Sequence, residues 1–148
     1  MICRILFFTL TIICAQLNDA FAACTERSDV EGLYALKLNV GGKDFVDLIN
    51  INKACHRGKN EASLEGNLTV PELFTTKIVD SSLRGQNYKL KIDTLERGRP
   101  LKATYTFSDT VDSKTKQHKC LGQVTFEGEK QPVSLTCFKF SIADKYTP

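Results

Sequence analysis

The sequence has no Trp, one Met and only two His among 148 residues. So few imidazoles leave His56 and His118 as the only side chains that titrate near neutral pH without a shifted pKa. No Gly-x-Ser-x-Gly elbow, His-Glu-x-x-His pair or Walker loop occurs, so the common hydrolase, zinc-protease and nucleotide-binding signatures are missing. Charge of one sign is not in large excess either. Twenty Lys and Arg against 17 Asp and Glu give +3, too mild a balance for a dedicated nucleic-acid binder. No stretch of ten or more mature residues carries a helical apolar period. With 42% hydrophobic and 25% charged residues, the composition is that of one ordinary globular domain.

One long apolar run is present, at the N-terminus. Arg4 precedes Ile5 to Ala15, a polar stretch with Gln16, Asn18 and Asp19 follows, and Ala20-Phe21-Ala22 offers a small-x-small cleavage site. Residues 1–22 therefore read as a secretory signal peptide and 23–148 as a single β domain. The run is too short for a bilayer core of about 30 Å, and no later segment approaches that length, so no transmembrane segment is expected. Export to the periplasm or the extracellular space follows. Phe21-Ala22-Ala23-Cys24 also resembles a bacterial lipobox, with Phe where Leu is usual, which makes Cys24 a candidate lipid anchor.

Removing the leader takes Cys3 and Cys14 with it and leaves Cys24, Cys55, Cys120 and Cys137. Four Cys in an exported domain imply two disulfides, with three possible pairings. The strand patterns choose among them. Tyr34, Leu36, Leu38 and Val40 alternate with polar residues, Gly41 to Asp44 makes a turn, and Phe45 to Ile51 returns, with Val40 expected opposite Phe45. Tyr88, Leu90 and Ile92 pair across a turn at Glu96–Pro100 with Phe107, Tyr105 and Ala103, which leaves a uniformly polar outer face. A third hairpin centred on Gly128-Glu129 sets Val124 opposite Val133, Gly122 opposite Leu135 and Cys120 opposite Cys137. Directly opposed strand partners lie within disulfide reach, so Cys120 bonds Cys137 and Cys24 is left for Cys55.

Between these hairpins Leu64, Gly66, Leu68 and Val70 alternate, and Leu73 to Val79 is a further strand. Ser81–Gln86 and Asp109–Lys119 read as loops. About eight sequentially adjacent strands specify an all-β fold, a small antiparallel up-and-down barrel or a barrel-like sandwich. Gly32-Leu33-Tyr34 resembles, over three residues, the Gly-x-Trp opening of lipocalin barrels, with Tyr34 in the Trp position. No site residue carries over from so short a match.

Function is less legible. No catalytic residue is assigned, and no metal or cofactor is expected, because export favours disulfides over zinc thiolates at Cys55-His56 and His118-Lys119-Cys120. The basic loops are the most informative surface: Arg97 and Arg99 beside Lys102, and Lys116 with His118. They suit an interaction or inhibitor-like module that meets a protein or an anionic surface. The alternative is a barrel with an apolar or amphipathic ligand inside, lined by Tyr34, Leu90, Tyr105 and Phe107. Asn67-Leu68-Thr69 is an N-glycosylation sequon wherever the export route glycosylates.

Overall fold

A computed structural model describes residues 29–58, 60–116 and 118–140. The expected signal peptide, its expected cleavage site and the lipobox-like Cys24 lie outside the described residues. Eight strands follow one another: β1 (Gly32–Val40), β2 (Lys43–Gly58), β3 (Glu61–Val70), β4 (Phe74–Arg84), β5 (Asn87–Glu96), β6 (Arg99–Val111), β7 (His118–Phe126) and β8 (Val133–Phe140). Each pairs antiparallel with the next, and β8 returns to β1, so the sheet is a closed up-and-down barrel. Closure leaves no open sheet edge. Among the described residues no helix is long and apolar enough to cross a membrane.

Period-two patterning explains the interior. Tyr34, Leu36 and Leu38 of β1, Leu90 and Ile92 of β5, and Tyr105 and Phe107 of β6 all face inward and are buried. The second hairpin has the expected register, with Tyr88 opposite Phe107, Leu90 opposite Tyr105 and Ile92 opposite Ala103. The third also agrees: Cys120 faces Cys137 and the two are disulfide-bonded. The Cys24–Cys55 pairing involves a residue outside the described ones.

Several expectations need correction. The first hairpin pairs Val40 with Lys43, so Leu38 faces Phe45 and Leu36 faces Asp47. The inward set keeps its face, but every pair slips by two residues. The cause is the turn: Gly41 and Gly42 both have positive φ (58° and 81°), the backbone of a two-residue hairpin that a four-residue turn does not need. The turn of the second hairpin is likewise shorter, because Leu95 pairs with Pro100 and Glu96 with Arg99. Ser81 to Arg84 belongs to β4, not to a loop, and Cys55 and His56 lie within β2. The long connection expected at Asp109–Lys119 shrinks, because Asp109 to Val111 extend β6 and His118 and Lys119 open β7. Polar composition misled there: a residue can face solvent and still sit in a ladder.

Two glycines mark close strand approach. A Cβ on Gly66 would lie 2.1 Å from the Asn50 carbonyl oxygen, and one on Gly122 would lie 2.1 Å from that of Thr106. Both positions need Gly because a neighbouring backbone occupies the space. Where the β3–β4 ladder is interrupted between Ala62 and Asn67, the Ser81 hydroxyl fills in. It donates to the Leu64 carbonyl (2.7 Å) and accepts from the Leu64 amide (2.8 Å).

Candidate functional site

Alternating strand direction sorts the connections onto two rims. The upper rim holds Gly41-Gly42, Pro71–Leu73, Arg97-Gly98 and Glu127–Pro132. The lower rim holds the β2–β3, β4–β5 and β6–β7 connections, with the start of β1 and the end of β8. Arg97, Arg99 and Lys116, His118, the basic residues singled out from sequence, therefore sit at opposite ends of the barrel. They do not form one surface.

The upper rim is electrically mixed. Arg97 (φ 49°) and Arg99 are exposed, but Asp44, Glu72, Glu96, Glu127 and Glu129 share that rim. Lys102 faces outward on β6 near two carboxylates, with its Nζ 3.6 Å from Glu127 and 4.0 Å from Asp93. Such exposed pairs add little stability and leave little free positive potential.

The lower rim also carries both signs, with Asp29, Glu31, Glu61, Asp109 and Asp112 at that end, but its exposed lysines cluster on one connection. Arg57, Arg84, Lys114, Lys116 and Lys119 are all exposed there. Two of the carboxylates at this end are engaged by neighbours. Asp112 accepts the amides of Lys114 and Thr115 at 2.8 Å each, which curls the β6–β7 connection and holds the Asp112 carboxyl below its ordinary range. Asp109 is buried and lies 2.9 Å from His118 Nδ1. That contact orients the His118 ring and turns its other nitrogen away from the carboxylate.

Beneath His118 the interior is closed by aromatic rings. Tyr88 and Phe107 stack with centroids 4.7 Å apart, and Tyr34 tilts against both. Tyr34 donates to the Val30 carbonyl (2.7 Å), so the Tyr88 hydroxyl, 3.2 Å away, is the donor of that pair. Burial and the Tyr88 hydrogen bond push the Tyr34 phenol far above its usual pKa. Lys139 crosses the opening: its ammonium donates to the Asp29 carbonyl and lies 5.4 Å from the centroid of the Tyr34 ring. Burial lowers the Lys139 pKa, while the Asp109 and Asp29 carboxylates work against that shift.

Tyr34, Leu90, Tyr105 and Phe107, the lining of the alternative ligand site, are between 0% and 3% exposed and pack together in the core of the barrel. Their hydroxyls have protein partners: Tyr34 as above, and Tyr105 through a 2.8 Å bond to Asp47. Among the described residues no group of three or more His, Cys, Asp or Glu is placed to hold a metal ion.

Asp109 and Lys139 belong to this end and are not singled out by the sequence; Tyr88 is legible there only as an inward strand residue opposite Phe107. A usable signal existed. Asp109 continues the inward series Ala103, Tyr105, Phe107, and Lys139 continues Leu135, Cys137, so both polar residues fall at inward positions where a strand reaches the rim.

No protein-family model, curated protein or solved structure matches this chain.

Proposed function

We propose that the mature chain is an exported, non-enzymatic binding module that meets an acidic partner at its lower rim. One observation carries the reading: exposed Lys114, Lys116 and Lys119 cluster on and beside the β6–β7 connection, where Asp112 is the exposed carboxylate among the described residues. Such a cluster steers an anionic partner towards that connection. The filled interior supports a surface-acting protein over one that holds a ligand inside. A rigid closed sheet also lowers the entropy cost of presenting a short loop.

The experiment is a pull-down or surface-binding assay with two charge-reversed proteins, Lys114→Glu/Lys116→Glu/Lys119→Glu and Arg97→Glu/Arg99→Glu. Loss of partner capture in the first and its retention in the second is the expected result. The opposite pattern transfers the site to the upper rim, and unchanged capture in both removes the electrostatic reading.

A further inference from the structure

The outer faces of β4, β5, β6 and β7 carry an open groove of about 720 Å³. Its register is simple. Ser82 faces Lys89, Lys89 faces Thr106, and Thr106 faces Gln123, which makes one row across four strands. The next row towards the lower rim runs Arg84, Asn87, Ser108, Leu121. The short side chains Ser82, Thr106 and Ser108 form the floor, and the longer Lys89, Gln123, Arg84 and Leu121 rise around it. Neither row contains a carboxylate, and the margin beside Arg84 holds Glu61, 3.5 Å from the guanidinium.

We infer that this groove is a second binding site, separate from the lower-rim lysines, and takes an acidic oligosaccharide. Hydroxyls and amides both donate and accept, as sugar hydroxyls do, so Ser82, Thr106, Ser108, Asn87 and Gln123 match a polyhydroxyl ligand. Lys89 and Arg84 supply charge for a carboxylate or sulfate, with the Arg84 side chain 74% exposed. Leu121, 51% exposed, offers an apolar surface to a ring face. Four strands span about 14 Å, the reach of several sugar units and too long for a single ion. An acidic peptide fits less well. Peptides that bind sheets usually extend a free edge, and this barrel has none.

Titration of the folded mature protein with tetragalacturonate, followed by amide NMR shifts and calorimetry, tests the inference. Saturable shifts are expected at Lys89, Thr106, Ser108 and Gln123, with affinity falling as salt rises. The fully methyl-esterified tetrasaccharide isolates charge and should bind at least about tenfold more weakly, as should Arg84→Glu/Lys89→Glu. Both substituted positions are exposed, and an unchanged melting curve shows that the variant folds. Lys43→Glu, exposed at the β1–β2 turn and outside both the groove and the lower rim, should bind the sugar as the parent does. A penta-glutamate peptide that shifts the same amides with equal affinity overturns the glycan assignment. So does the absence of saturable binding at millimolar tetragalacturonate.

Discussion

The Tyr105 hydroxyl on β6 donates to the Asp47 carboxylate on β2 across the barrel interior, at 2.8 Å, with both residues buried. Asp47 takes an inward position opposite Leu36, where the pattern of its strand calls for an apolar side chain. Burial raises the Asp47 pKa, and the Tyr105 hydrogen bond offsets part of that shift. Burial and the adjacent Asp47 in turn push the Tyr105 phenol well above its usual value, so it stays a donor. A carboxylic acid whose folded pKa exceeds its unfolded one holds its proton more tightly when folded. Its stabilising contribution is therefore full below the unfolded pKa and lost as pH climbs through the raised value. Asp47→Asn preserves shape and can still accept from Tyr105. The variant should match the parent below about pH 3 and melt at higher temperature at neutral pH. Melting curves taken across that range check it.

Tyr105→Phe removes the 2.8 Å hydrogen bond to the Asp47 side chain and deprives a buried carboxyl of that donor. A cost of about 1–3 kcal/mol in denaturant unfolding is expected. The loss of stability with rising pH should also steepen, because the offset to burial disappears.

Ser81→Ala deletes a hydroxyl that serves both backbone groups of Leu64 at a gap in the β3–β4 ladder. The Leu64 amide should exchange with solvent far faster, with about 1–3 kcal/mol lost overall. Ser81→Thr keeps the hydroxyl and should retain much of the protection.

Gly122→Ala places a methyl 2.1 Å from the Thr106 carbonyl oxygen and 2.6 Å from the Phe107 Cα, both in backbone that cannot move without opening the β6–β7 ladder. A loss of several kcal/mol or failure to fold is expected. Gly85→Ala, with nothing within 4 Å but a positive φ of 60°, should cost only about 1–2 kcal/mol. Comparing the melting temperatures of the two variants checks the ranking.

The Cys120–Cys137 bond ties β7 to β8, whose ladder spans five residue pairs, from Cys120–Cys137 to Val124–Val133. Cys120→Ala/Cys137→Ala should lower unfolding free energy by about 3 kcal/mol, given a separation of 17 residues. Non-reducing peptide mapping of the purified protein should recover Cys120–Cys137 and, for the remaining pair, Cys24–Cys55.

The alternation of Tyr88, Leu90, Ile92 and of Ala103, Tyr105, Phe107 by itself specifies strands, faces and register, because a one-residue slip would turn the whole apolar row to water. The same logic placed Cys120 against Cys137. A two-residue slip keeps every residue on its face, so patterning could not choose the Leu36–Asp47 pairing; the positive φ of Gly41 and Gly42 did. Closure of β8 onto β1, the meeting of Tyr105 with Asp47, and the placement of Arg97 and Lys116 on opposite rims were decided only by the tertiary structure. Local pattern records which face a residue takes; which distant residues meet depends on how the sheet curls and closes in three dimensions.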